Sequence, residues 1–111
     1  MEIVGRNLVI HADKEIDHMA AENIRHEFER INMKDGIKNV IFDMSDVKFM
    51  DSSGIGMIMG RYMKVRYIGG RVMVTGVADN IDRMLRMSGV YKVVDKYDSV
   101  EEALESQYKR A

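Results

Sequence analysis

Asn39-Val40-Ile41-Phe42-Asp43-Met44 is a short apolar run, and soon after it Phe49-Met50-Asp51-Ser52-Ser53-Gly54-Ile55-Gly56 opens a segment of different period. The first run is rich in β-branched and aromatic residues and reads as a buried strand. In the second, Ile55, Ile58, Met59, Tyr62 and Val65 recur at helical intervals, so a helix follows. Between them stand Asp51, Ser52 and Ser53, residue types that cap a helix by accepting a bond from an unpaired backbone N–H. A strand followed by a capped helix is half of a β-α-β unit, and the chain repeats this alternation on both sides.

Upstream, Glu2-Ile3-Val4 and residues 8–12 flank Gly5-Arg6-Asn7, which predicts a hairpin. Asp17 is the expected N-cap of the next helix, with Ile16 placed to staple onto its first turn. Ala20, Ile24, Phe28 and Ile31 give that helix its apolar stripe, and Asp35-Gly36 is its expected end. Downstream, Gly69-Gly70 terminates the central helix and residues 71–76 predict another buried strand. Asp79 is expected to cap a helix carrying Ile81, Met84 and Leu85 up to Ser88-Gly89. A last strand is expected over residues 92–95, then a helix capped by Ser99 or Asp98 and carrying Val100, Ala103 and Leu104.

The elements describe an α/β fold: a mostly parallel, mixed sheet of four to five strands with about four helices, in one domain over residues 1–111. In such a sheet the loops leaving the carboxyl ends of the strands share one edge, and that edge carries binding sites. Residues 13–18, 46–54 and 76–79 are therefore expected to meet near Ser53.

With 17 Lys and Arg against 18 Asp and Glu, the net charge is −1, and the cations are scattered, so there is no bulk pull toward nucleic acid. The absence of cysteine excludes disulfides and thiolate chemistry and is compatible with a reducing, intracellular setting. Apolar runs fall far short of the ~20 residues of a membrane span, and Glu2 and Arg6 interrupt any signal-like core. Eleven methionines are assigned mostly to the core, with Met57, Met63 and Met87 expected partly outside.

A helix start with two serines can hold a phosphate on its unpaired N–H groups, so Ser52 or Ser53 is a candidate site for an added charge, or else a plain cap. Gly54 would let another molecule approach that hydroxyl. A serine hydrolase would place His18 near Ser53 with Asp17 or Asp51 beside it, but the motif lacks the Gly-x-Ser-x-Gly elbow. His11, His18 and His26 offer no i, i+4 pair for a metal, and no glycine segment forms a phosphate-cradling loop. Gly56 and Gly60 each cost a helix about 1 kcal/mol relative to alanine. Something is expected to pack closely on their face, either the domain's own sheet or a partner, with Arg61 and Lys64 at the rim.

Residues 49–56, Gly60-Arg61-Tyr62, Ile68-Gly69-Gly70 and Met87-Ser88-Gly89-Val90, together with Glu15-Ile16-Asp17-His18, resemble the STAS-domain anti-sigma factor antagonists, in particular the sporulation type acting on the anti-sigma F factor. The resemblance spans essentially the whole chain. It implies a single STAS domain working as a non-catalytic cytoplasmic switch in transcription regulation, with no cofactor and monomeric when free. It also implies partner switching: the unmodified form binds an anti-sigma factor that is an ATP-dependent serine kinase, and a sigma factor is released. That kinase then phosphorylates the second serine, Ser53, and a serine phosphatase resets it. Asp17 matches a position that contacts the kinase, and Asp51 and Ser52 flank the modified residue. With His18, Gly54 and the Gly56, Gly60 and Arg61 face, these form the expected partner-binding set. Two rival readings share the fold: a scaffold or binding module of a stress-signalling assembly that is not switched by phosphate, and a regulatory module of an anion transporter, which membrane segments would precede.

Overall fold

Parallel strands joined by helices that all cross over in the same direction place those helices on one face of the sheet, and this determines where everything else lies. The computed structural model describes residues 1–31 and 36–108. Strands β1 (Glu2–Val4), β2 (Asn7–His11), β4 (Asn39–Asp43), β6 (Val72–Thr75) and β7 (Asp95–Tyr97) form a sheet in the order β1-β2-β4-β6-β7. β1 is antiparallel to β2, and every other pair is parallel. Strands β3 (Glu15–Ile16) and β5 (Phe49–Met50) make a separate two-stranded parallel sheet. The helices are α1 (His18–Arg30), α2 (Ser52–Val65), α3 (Asp79–Met87) and α4 (Val100–Tyr108).

The period-2 alternation of the strands divides the core in two. Leu8, Ile10, Val40, Phe42, Val72 and Val74 pack against α1, α2 and α3, while Val9, Ile41 and Met73 face Ala103, Val100 and Leu104 of α4. Phe28 of α1 meets Phe42 edge to face, with ring centroids 5.9 Å apart. Among the described residues no helix is long and apolar enough to cross a membrane.

The expected strand at residues 92–95 is displaced. Val90–Lys92 form a 3-10 turn, and the strand starts only at Asp95. Gly89 enters that turn with φ +81°, and the Val94 N–H bonds the Val90 carbonyl at 2.9 Å, so Val90 and Val94 are buried together at helical spacing. Asp82 of α3 then holds the segment in place, accepting from the Tyr91 hydroxyl at 2.6 Å and from Lys96 Nζ at 2.9 Å. The cap of α3 is Ala78, without a side-chain bond, and Asp79 is the first helical residue. The first helix closes at Arg30 because Ile31 turns extended; Asp35 lies outside the described residues. Met57 is buried, whereas Met63 and Met87 are exposed as expected.

One polar cluster ties the edge hairpin to the sheet. His11 Nδ1 lies 2.7 Å from Asp43 Oδ2, and Nε2 lies 3.0 Å from Glu2 Oε1. The bonds to Glu2 and then Asp43 raise the His11 pKa above its ordinary 6.5. Stability from this cluster is therefore fully present below about pH 6.5 and is lost as pH rises through the higher folded value. The side chain is about half exposed, so the effect is a few tenths of a kcal/mol. Melts of wild type and His11→Gln should differ at pH 5.5 and converge by pH 9; a difference that grows with pH would contradict the ion-pair account.

Candidate functional site

Asp51 and Asp17 cap α2 and α1 in the same way. Both have extended backbones, and both side chains accept an amide of the first turn: Ser53 N at 2.8 Å from Asp51 Oδ1, and Ala20 N at 2.9 Å from Asp17 Oδ1. The small sheet places these two caps side by side. Glu15 pairs with Phe49 and Ile16 with Met50, and the next residues in register are Asp17 and Asp51. The Asp51 N–H donates to the Ile16 carbonyl at 3.1 Å, and the Lys48 N–H donates to the Lys14 carbonyl at 2.7 Å. Two helix N-termini, two carboxylates, His18, Ser52 and Ser53 thus share one edge. Asn80 of α3 joins it by donating to the Lys48 carbonyl at 3.3 Å, so the three loops converge as expected.

Ser52 and Ser53 differ in exposure. Ser52 is the first residue of α2 and is exposed; Ser53 is half-buried, with its N–H already engaged by Asp51. Neither first turn, residues 18–21 or 52–55, contains a lysine or arginine. Among the described residues His18 makes no hydrogen bond to either serine. Beside this polar edge two apolar side chains stand in solvent, Met19 at 72% and Phe49 at 51% exposure. Sequence reasoning quoted Phe49 in the motif without giving it a role, and passed over Met19. Phe49 lies at a two-residue strand whose pairing no periodicity reveals.

The glycines divide in an unexpected way. Gly54 faces inward: a Cβ there would come within 2.4 Å of the Met50 side chain and 3.2 Å of Ile16. Its role is close packing of α2 on the small sheet, and the expectation that it admits another molecule is corrected. Gly56 and Gly60 are the open ones. A Cβ on Gly60 would meet nothing within 4 Å, and one on Gly56 only Arg25 at 3.6 Å. The domain's own sheet therefore does not press on that face. Gly60→Ala should raise the stability of the free domain by about 0.5–1 kcal/mol through helix propensity, read as a higher melting temperature; a lower one would show hidden crowding.

Arg61 edges the same face. Its guanidinium sits 3.6 Å over the Phe28 ring, and its Nε is buried with no partner among the described residues. Burial lowers the Arg61 pKa, with Glu29 acting against it. Arg25, Lys64 and Glu29 complete a groove between α1 and α2. The site residues therefore fall into two sets: a carboxylate and serine edge, and a glycine and arginine face farther along α2.

The family model described as the STAS domain matches residues 1–103. The chain belongs to the STAS domain family. This STAS domain is 31% identical to the anti-sigma F factor antagonist of Paenibacillus polymyxa, over 87% of this chain and 83% of that protein. The anti-sigma factor antagonist SpoIIAA in its unphosphorylated form is 25% identical with a TM-score of 0.76, covering 97% of this STAS domain and 94% of that chain. The Bacillus cell fate determinant SpoIIAA in the phosphorylated form is 27% identical with a TM-score of 0.75, covering 95% of each. The STAS domain thus groups with anti-sigma factor antagonists.

Proposed function

We propose that this STAS domain is an anti-sigma factor antagonist whose unmodified form binds an anti-sigma factor, and that a phosphate on Ser53 ends the binding. The relatives supply the anti-sigma factor as partner and a phosphorylated form as precedent. The observation that carries the site assignment is the pairing of two Asp-capped helix N-termini by the β3 and β5 ladder. It places Asp17, His18, Asp51, Ser52 and Ser53 on one edge with no lysine or arginine in either first turn. Such an edge accepts a neutral serine in an interface, whereas a phosphoserine would sit beside two carboxylates. On this reading the anti-sigma factor is itself the ATP-dependent serine kinase, and a serine phosphatase restores binding. The domain works in the cytoplasm without a cofactor or a reaction of its own.

Peptide mass spectrometry after incubation with the candidate kinase and ATP tests the assignment. A single phosphate present in wild type and Ser52→Ala but lost in Ser53→Ala is expected; a phosphate that follows Ser52 instead would overturn it. The open face of α2 is part of the same proposal. Gly60→Ala should weaken partner binding about tenfold even as it stabilises the free domain, because a methyl there would hold the partner off the helix. Unchanged affinity in calorimetry would remove the glycine face from the interface.

A further inference from the structure

The other end of the sheet, where β2 and β4 begin, holds a cavity of about 440 Å³. It lies at the amino ends of the strands, whereas Ser53 follows a carboxyl end, so it is separate from the edge described above. Its size is that of pockets which enclose small organic ligands. Three cations line it, Arg6, Lys38 and Arg71, and no carboxylate among the described residues does. Arg71 is held by Asp95, whereas Arg6 and Lys38 have no ionic partner among the described residues. Val4 and Leu104 supply apolar wall.

The walls are fixed by bonds that tie distant segments together. Gln107 Nε2 donates to Asn7 Oδ1 at 2.6 Å, which fastens the end of α4 to the start of β2. The Arg71 N–H donates to Asn39 Oδ1 at 3.0 Å, so the Asn39 carboxamide is anchored through its oxygen and keeps its NH2 as a donor. The N–H groups of Lys38 and Asn39 both bond the Arg6 carbonyl, at 2.9 and 3.1 Å. Gly70 lies directly against the Lys38 carbonyl. A positively charged, apolar-walled cavity with a rigid frame matches one ligand chemistry in particular.

We propose that this cavity binds a small aliphatic carboxylate, its head between Arg6 and Lys38 and its chain along Val4 and Leu104. The proposal is independent of the antagonist reading. Nuclear magnetic resonance titration of the ¹⁵N-labelled chain with octanoate tests it, with octylammonium and acetate as comparisons. Octanoate should give saturable shifts at the amides of Gly5, Lys38 and Gly69 and at the Gln107 side chain, and octylammonium should give none there. Arg6→Gln and Lys38→Met, the latter keeping an aliphatic stem, should each weaken binding about tenfold, with the rest of the spectrum unchanged. Equal response to octylammonium, or saturation by acetate alone, would overturn the proposal. So would octanoate shifts gathered instead at exposed Met87 and Tyr67.

Discussion

Phosphorylated on Ser53, the domain is expected to bind its anti-sigma factor at least about 100-fold more weakly than the unmodified form, a loss of roughly 3 kcal/mol. The reason lies in what surrounds the hydroxyl. Asp51 Oδ1 already occupies the Ser53 N–H, and the small sheet places the Asp17 cap beside it. A phosphate adds about −1.5 to −2 charges to that edge, and residues 18–21 and 52–55 contain no lysine or arginine to neutralise it. In the free domain the dianion is held by water and by the positive ends of two helices, so the fold tolerates it. In a complex it must shed that water beside the Asp17 and Asp51 carboxylates, which costs several kcal/mol.

Two measurements separate this account from its rivals. Calorimetry of stoichiometrically phosphorylated protein should show the affinity loss shrinking as salt rises, because charge repulsion at a partly exposed edge is screened; a purely steric block would not respond. The melting temperature should stay within about 3 °C of the unmodified protein, since the dipole gain of about 0.3–1 kcal/mol opposes repulsion by Asp51. Affinity reduced by less than threefold would sink the switch, and a large change in stability would replace interface blocking with refolding.

The alternation of strand and helix was legible because each long element carries its own period: residues 39–44 as a buried run, and Ile55, Ile58, Tyr62 and Val65 at helical spacing. The caps Asp17 and Asp51 were legible for the same local reason. What brings them together was not. Strands β3 and β5 are two residues each, too short to show a period, and their pairing joins segments more than thirty residues apart. Glycines show the same limit. The sequence shows that Gly54 and Gly60 lack side chains, but which one has a neighbour in that space is a tertiary fact: Gly54 packs inward against the expectation, and the open space at Gly60 removes the domain's own sheet as the neighbour expected there. Val93-Val94 misled because a short apolar run fits a buried strand and a helical turn equally well; the Asp82 bonds to Tyr91 and Lys96 favour the turn.

Gly70→Ala is expected to destabilise the domain by about 3 kcal/mol, lowering the melting temperature by roughly 10–20 °C. Unlike Gly69, whose φ is +74°, Gly70 is not in the left-handed region, so the cost is one of space. An added Cβ would lie 1.9 Å from the Lys38 carbonyl oxygen and 2.8 Å from Val65 Cβ. Neither neighbour can yield cheaply. The Gly70 N–H bonds the Val65 carbonyl at 2.8 Å, which sets the exit from α2, and the Val40 N–H bonds the Arg71 carbonyl at 2.9 Å, which sets the β4 and β6 register. Moving either backbone by the ångström or more required would break one of these bonds or slide a central strand pair. Gly60→Ala, on the same stretch of chain but with open space around it, provides the matched control: equal chemistry and the opposite sign. If the two variants melted together, the close approach at Gly70 would not be what fixes the turn into β6. If they diverge as expected, Gly70 of the Ile68-Gly69-Gly70 motif is explained by packing within the domain and requires no contact with a partner.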